Sequence, residues 1–167
     1  MDLFDSEMLR LWKALNSNAV NYIMVGGVAI NLHGYQRTTD DIDIWIEDTL
    51  ENRKKLRKSF ADCEMGDFEP LERMPFIPGW TYFNLNNGIR LDLMDKMKGL
   101  EGNLSFDECL QLASVADIEG VAVPFLHINH LLDNKKAVNR PKDQIDVIYL
   151  EKIKKLREEE DSNSNPS

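Results

Sequence analysis

The stretch that determines the fold covers residues 22–46 and has the sequence YIMVGGVAINLHGYQRTTDDIDIWI. Its first four residues are apolar and predict a short buried strand. Gly26 and Gly27 follow at once, and the apolar residues after them predict a short helix that ends at Gly34. Residues 41–46 alternate aspartate and isoleucine before Trp45, which predicts a second strand. The first unit of the chain is therefore strand, Gly-Gly, helix, strand.

Three aspartates fall within predicted strands, where aspartate is uncommon. Asp41 and Asp43 are two residues apart and therefore project from the same strand face, while Asp92 lies in the middle of a later strand. Parallel carboxylates repel each other unless a positive charge lies between them. A divalent cation with oxygen ligands, Mg²⁺ or Mn²⁺, would supply that charge. Alternatively, these side chains line the solvated face of a half-buried strand.

The Gly26-Gly27 pair stands between a strand and a helix, directly upstream of the strand that carries the acid pair. Glycines allow a phosphate to approach the backbone, and a helix N-terminus favours an anion. Tight turns also require glycine, so the pair alone does not identify a phosphate site. Together with the carboxylates, it is typical of metal-dependent phosphoryl or nucleotidyl transfer.

Patterns outside this unit predict further helices and strands around it. A hairpin is predicted from Trp80 to Met94, because Asn87-Gly88 separates two apolar runs. The aromatic residues Trp80, Tyr82 and Phe83 are expected in the core. The other predicted elements are a helix over 6–15, a helix capped by Thr49 to about Cys63, a helix after Ser105, a small strand pair over 115–118 and 121–125, a helix capped by Asn129, and a helix from Pro141 to about Leu156.

This order of elements predicts an α/β (α+β) domain with a mixed sheet flanked by helices. We expect one domain over residues 1–156. The segment 157–167 is rich in acidic and small polar residues and is expected to be a disordered tail.

Composition restricts the classes of function. The 167 residues carry a formal net charge of −9, which disfavours non-specific binding to duplex DNA. The N-terminal segment lacks the pattern of a signal peptide, and no run of residues is long and apolar enough for a membrane helix. The two cysteines, Cys63 and Cys109, have no metal-site spacing and are expected to be reduced thiols. We therefore expect a cytoplasmic protein without a membrane partner.

The spacing of the motifs resembles a known group of enzymes. Gly26-Gly27, a spacer of thirteen residues and Asp41-Ile42-Asp43-Ile44 match the signature of the DNA polymerase beta-like nucleotidyltransferase superfamily. The longer string over residues 26–44 is similar to small bacterial nucleotidyltransferases related to abortive-infection toxins and to minimal nucleotidyltransferase antitoxins. Asp92 matches the third acid, and Lys135, Arg140, Lys142, Asp143 and Asp146 match a C-terminal pattern of these relatives. The similarity covers about residues 22–150.

The resemblance implies a nucleotidyltransferase fold and a mechanism. Asp41, Asp43 and Asp92 would be catalytic and would hold the metal ions, with Asp92 also helping to deprotonate an acceptor hydroxyl. Gly26 and Gly27 would bind the β- and γ-phosphates of a nucleoside triphosphate such as ATP. Many members of the superfamily have serine where this chain has Gly27, so the contacts here would come from the backbone alone.

Basic and polar residues near the motifs have two interpretations each. Arg37 and Thr39 either contact phosphate or fix the loop before the acid pair. Lys135 either contacts the triphosphate or pairs with Asp143 and Asp146, and we favour the contact for Lys135 and the ion pair for Lys142. His33 is expected to pack and to form hydrogen bonds rather than to catalyse.

Three functions remain open from the sequence. The first is transfer of a nucleotide to a hydroxyl of a protein, an RNA or a small molecule. The second is a toxin–antitoxin or abortive-infection component that acts mainly through a partner protein. The third is a nucleotide-binding module without catalysis, which the presence of three acids disfavours.

Overall fold

A computed structural model describes residues 2–165 of the chain. Within that range, the strands are β1 (Tyr22–Val25), β2 (Asp41–Ile46), β3 (Trp80–Asn84), β4 (Arg90–Met94), β5 (Ser114–Ile118) and β6 (Val121–Phe125). They form one sheet in the order β3-β4-β2-β1-β6-β5. β2 runs parallel to β4 and antiparallel to β1, so the sheet is mixed. The predicted fold class is confirmed.

Helices flank this sheet on both faces. They are α1 (Ser6–Ser17), α2 (Gly26–His33), α3 (Leu50–Asp62), α4 (Phe106–Leu112), α5 (Ile128–Val138) and α6 (Pro141–Ser164), with a 3-10 helix at Glu69–Glu72. Thr49 caps α3, because its side chain accepts a hydrogen bond from the backbone N–H of Asn52. Ser105 and Glu108 form a reciprocal capping box at the start of α4. No helix in the described part of the chain is long and apolar enough to cross a membrane.

One face of the sheet packs against buried side chains of α1 and α3. Ile42, Ile44 and Ile46 of β2 are fully buried on this side. α1 covers it through Trp12, whose ring stacks on Tyr22 of β1 at a centroid distance of 6.1 Å. α3 covers it farther along, where Phe60 meets Phe83 of β3. The core on this side holds β2 in place and so fixes the opposite face, which carries the aspartates.

The predicted strand pair over 115–118 and 121–125 is present as β5 and β6, and β6 also pairs with β1 in the main sheet. Two predicted helices differ from the structure. His127, not Asn129, caps α5, since its side chain accepts a hydrogen bond from the Asn129 backbone N–H. α6 continues through Ser164, where a disordered tail was expected from residue 157. Glutamates at 158–160 are good helix formers, which accounts for the continuation, while residues 166–167 lie outside the described range.

Candidate active site

The three aspartates meet on one face of the sheet because of strand register. β2 and β4 are parallel neighbours, and their pairing places Asp43 directly beside Asp92. Asp41 lies two residues earlier on the same face of β2. One carboxylate oxygen from each of the three residues lies within 4.8 Å of the others. A set of three convergent carboxylates fits a divalent cation with oxygen ligands.

Crowding of these acids has an electrostatic cost. Burial, and then the negative charges of Asp41 and Asp92, raise the pKa of Asp43 from 3.8 to about 7. At neutral pH without a cation, Asp43 is therefore partly protonated. A bound cation would favour the ionised form of all three side chains.

Gly26, the first residue of α2, lies against Asp43. The strand pairing explains this contact, because Asp43 pairs with Val25, the residue directly before Gly26. The φ angle of Gly26 is +66°, a conformation that favours glycine. A Cβ at this position would lie 2.8 Å from the carboxyl carbon of Asp43 and would collide with its Oδ2 atom. The backbone at the helix start therefore approaches the acid cluster more closely than any other residue type allows.

Gly27 is also closely packed, for a different reason. A Cβ there would lie 2.7 Å from the hydroxyl of Thr39 and 3.2 Å from the guanidinium of Arg37. The hydroxyl of Thr39 donates toward the backbone oxygen of Asp41 at 3.3 Å. Arg37 pairs with Asp146 of α6 at 2.9 Å. Both side chains thus fix the loop before β2 and also line the cavity described below.

Lys135 lies at the centre of a buried ion cluster between α5 and α6. Its ammonium group contacts Asp143 at 3.0 Å and Asp146 at 3.3 Å. Burial alone would raise the pKa of Asp143, but hydrogen bonds from Arg140 and Lys135 lower it to about 2. Lys135 therefore makes the ion pairs that we expected of Lys142, although it also borders the cavity. This cluster joins the C-terminal helices to the loop that carries Arg37.

Arg90 is a residue that the sequence analysis did not single out. Its Nε atom donates to Oδ1 of Asp92 at 2.6 Å. The guanidinium lies over the ring of Tyr82 at 4.3 Å and near the ring of Trp80 at 5.4 Å. Its place in the sequence was a usable signal, because residues two apart on a strand share a face. Arg90 thus neutralises part of the acid cluster in the absence of a cation.

The prediction that the β3 aromatic residues belong to the core is confirmed for Phe83 and wrong for the others. Phe83 packs against Phe60 and Phe68. Trp80 and Tyr82 are exposed on the opposite face, the one that carries Asp92. His33 is buried as expected, with Nε2 2.8 Å from the backbone oxygen of Leu126. The aromatic pair and Arg90 therefore form an open surface beside the third carboxylate.

A cavity of about 490 Å³ opens over the three carboxylates. Val25, Gly26 and Gly27 border it at one side, and Trp80, Met94 and Met97 at the other. Seven basic side chains line it: Arg37, Arg90, Lys96, Lys98, Lys135, Arg140 and Lys142. Four acidic side chains line the cavity, so basic residues outnumber acidic ones there. In the whole chain the balance is reversed, with 29 acidic and 20 basic residues. Positive charge is thus concentrated where an anionic ligand would meet the carboxylates.

Solved structures of similar shape identify the fold. The lincosamide antibiotic adenylyltransferase LnuA, solved with lincomycin bound, superposes with a TM-score of 0.58 at 18% identity, covering 89% of this chain and 97% of that one. The chain has a nucleotidyltransferase fold. ANT(2'')-Ia in complex with adenylyl-2''-tobramycin shares this fold, with a TM-score of 0.53, 20% identity, and coverage of 95% of this chain and 97% of that one.

A third solved structure extends the comparison. An antigenic nucleotidyltransferase-like protein from Paracoccidioides brasiliensis superposes with a TM-score of 0.51 at 18% identity, over 86% of this chain and 74% of that one. No protein-family model matches the sequence, and no curated protein matches it. The fold expected from the Gly-Gly and Asp-Ile-Asp motifs is thereby confirmed from the arrangement of the backbone.

Proposed function

We propose that this chain is a metal-dependent nucleotidyltransferase that moves a nucleoside monophosphate from a nucleoside triphosphate to a hydroxyl acceptor, with release of pyrophosphate. The observation that carries the proposal is the convergence of Asp41, Asp43 and Asp92 within 4.8 Å, against the backbone of Gly26. The nucleotidyltransferase fold supports the general class of reaction. The basic lining of the cavity supports a triphosphate as the donor.

Asp41, Asp43 and Asp92 would hold Mg²⁺ or Mn²⁺. When bound, the cation supplies positive charge that stabilises the pentavalent phosphoryl group and the departing pyrophosphate. Backbone N–H groups at Gly26 and Gly27 would donate to the β- and γ-phosphates. Arg37, Thr39 and Lys135 border this side of the cavity, and we assign them to nucleotide binding through electrostatic attraction and loop position rather than through a free ammonium group.

The transfer forms one bond to phosphorus, breaks another, and moves one proton. The acceptor oxygen forms a bond to the α-phosphorus, and the bond from that phosphorus to the bridging oxygen of the β-phosphate breaks. The proton of the acceptor hydroxyl passes to Asp92, which lies on the side of the cluster farther from Gly26. The electron pair of the broken bond leaves on pyrophosphate. Asp41 and Asp43 would remain unprotonated as ligands of the cation.

The order of strands supports a position for the acceptor. The Gly26-Gly27 backbone lies on the β1 side of the carboxylates, and β3 lies on the Asp92 side. A triphosphate on the glycine side leaves the β3 side for the acceptor. There Arg90, Lys96 and Lys98 would repel a polycation, while Trp80 offers a ring face. The acceptor is therefore expected to be neutral or anionic, whether it is a protein, an RNA or a small molecule.

The test follows labelled nucleotide in the presence of Mg²⁺ or Mn²⁺. Wild type, Asp43→Asn and Asp40→Asn are each incubated with the four α-labelled ribonucleoside triphosphates in clarified bacterial lysate. Asp40 is the matched control, because it is exposed and neighbours the cluster without joining it. We expect wild type and Asp40→Asn to transfer label to one component, and Asp43→Asn to lose at least about a hundredfold in rate.

Other outcomes would redirect the proposal. Metal-dependent binding without transfer would favour a nucleotide-binding module, or a toxin–antitoxin component that acts through a partner protein. Equal transfer by wild type and Asp43→Asn would contradict the assignment of the three carboxylates. Calorimetric titration of purified wild type with Mn²⁺ and a non-hydrolysable triphosphate separates binding from turnover.

A further inference from the structure

The outward side of α6 carries an apolar stripe. Ile145, Ile148, Tyr149 and Leu156 are 50%, 54%, 42% and 59% exposed, respectively. Their spacing places them on one side of the helix together with Lys152. One face of the Tyr149 ring stacks on Tyr35 at a centroid distance of 4.0 Å, and 42% of the residue stays exposed. The opposite side of α6 is buried against the domain through residues such as Leu150. α6 therefore faces its own domain through ion-paired aspartates and Leu150, and faces solvent through a mostly apolar stripe.

Charges at the two ends of this stripe have opposite signs. Lys142 lies one turn before Ile145, and Glu159 lies one turn after Leu156. The four apolar side chains and Lys152 occupy the positions between these two charges. The whole segment from Lys142 to Glu159 corresponds to about 27 Å of helix. An antiparallel copy of this segment would present a glutamate to each lysine.

The C-terminal part of α6 extends past its last anchor in the domain. Arg157 holds this anchor, with one guanidinium nitrogen 3.0 Å from the backbone oxygen of His33. From residue 158 to residue 165 every side chain is exposed, yet the helix continues to Ser164. Short helices are marginal in water without packing on one side. The end of α6 therefore adds an exposed helical segment next to the apolar stripe.

We propose that α6 pairs in antiparallel orientation with α6 of a second copy of this chain. A two-fold axis between Leu150 and Glu151 places Ile145 of one copy opposite Leu156 of the other. The same axis places Lys142 opposite Glu159, so that both ends of the contact carry ion pairs. A two-fold contact repeats each of these pairs twice.

Charge complementarity selects the second copy and the antiparallel direction. Parallel pairing would place Lys142 against Lys142 and Glu159 against Glu159, and like charges at these positions are destabilising. Lys142 also borders the cavity over the carboxylates. The dimer would therefore place the acidic end of a partner helix near the rim of each cavity.

Cysteine cross-linking tests the direction of pairing. The native Cys63 and Cys109 are buried and do not compete for oxidation. We expect Ile145→Cys/Leu156→Cys to form a disulfide-linked dimer on mild oxidation, and each single variant to remain a monomer on a non-reducing gel. Cross-linking of either single variant would contradict the antiparallel arrangement, because it would place a residue against itself.

Sedimentation velocity tests the pairing itself. Wild type is expected to show a concentration-dependent dimer, and Leu156→Glu to raise its dissociation constant at least tenfold. Leu112→Glu is the matched control, since Leu112 is 57% exposed but lies on α4, away from the stripe. Lys142→Glu should weaken the dimer, and the double change Lys142→Glu/Glu159→Lys should restore it.

Two results would overturn the proposal. The first is a wild type that stays monomeric up to millimolar concentration, which would leave the stripe to a different protein. The second is a dimer that Leu156→Glu and Leu112→Glu weaken equally. Circular dichroism of each variant establishes that it is folded. None of these assays uses nucleotide, so their outcome is independent of the proposed transferase activity.

Discussion

Strand β2 has two faces that are built from different chemistry. Ile42, Ile44 and Ile46 point to one side and are fully buried under α1 and α3. Asp41 and Asp43 point to the other side, where they meet Asp92 within 4.8 Å. The first face contributes favourable free energy through the removal of apolar surface from water. The second face opposes folding, because it brings like charges together in a partly buried place.

The difference between the faces shows how this fold supports an unfavourable site. The apolar face fixes the strand, and the register with β4 then determines where the carboxylates lie. Neither Asp43 nor Asp92 needs to stabilise the protein, since the opposite side does so. Substitutions on the two faces should therefore change stability in opposite directions.

The largest effect is expected from the apolar face. Ile44→Ala should lower the free energy of unfolding by about 2–5 kcal/mol, because it opens a cavity in a fully buried position. Urea unfolding followed by circular dichroism measures this change. The control is Val115→Ala on the edge strand β5, where the side chain is exposed and a change within about 0.5 kcal/mol is expected. A loss below about 1 kcal/mol for Ile44→Ala would contradict the assigned role of this face.

A substitution on the carboxylate face should raise the stability of the protein, by an amount that depends on pH. The pKa of Asp43 is raised to about 7, so between pH 5 and pH 7 the folded state retains a proton that the unfolded state releases. The contribution of Asp43 to the free energy of unfolding of the metal-free wild type therefore falls as pH rises. Asp43→Asn removes the effect, and its stability relative to wild type should grow by roughly 2–3 kcal/mol between pH 5 and pH 8.

Thermal unfolding in the presence of a chelator at pH 5, 6, 7 and 8 measures this difference. Asp40→Asn serves as the control, because its exposed side chain should give a constant difference from wild type over this range. A constant difference for Asp43→Asn as well would show that the acid cluster does not oppose folding.

The smallest effect concerns the residue that neutralises the cluster. Arg90 donates to Asp92 at 2.6 Å and thus occupies one carboxylate oxygen that a cation could use. Arg90→Ala should therefore bind Mn²⁺ more tightly, by about 1 kcal/mol or roughly fivefold in affinity. Isothermal titration calorimetry measures the binding, and Arg73→Ala is the control, because Arg73 is exposed and does not border the cavity. Weaker binding in Arg90→Ala would indicate that Arg90 orients Asp92 for the cation instead.

Much of the fold follows from local patterns in the sequence. The strand, Gly-Gly, helix, strand unit is recognisable because the period of the apolar residues changes at Gly26 and again at Asp41. The hairpin of β3 and β4 follows from Asn87-Gly88 between two apolar runs. Convergence of Asp43 with Asp92 was a hypothesis from the sequence, since it depends on the pairing of β2 with β4, which no local pattern encodes.

The details that could not be predicted depend on tertiary contacts. Trp80 and Tyr82 are aromatic and were assigned to the core, but the face they share with Arg90 and Asp92 lacks a covering helix in the described chain. The ion pair of Lys135 with Asp143 depends on how α5 packs against α6. Helical spacing alone could have shown that Lys142 does not make this ion pair. Asp143, Asp146 and Leu150 lie on one side of α6, and Lys142 lies outside that side.

Gly26 has a consequence for how this gene can vary. Every single-base change in a glycine codon that does not yield glycine or a stop introduces a side chain, and any side chain begins with a Cβ. At position 26 that atom would meet the Asp43 carboxylate, on a backbone with φ of +66°. Gly102 has a similar φ of +78°, but a Cβ there would meet open space. Saturation mutagenesis under selection for the activity should therefore leave position 26 invariant and position 102 variable.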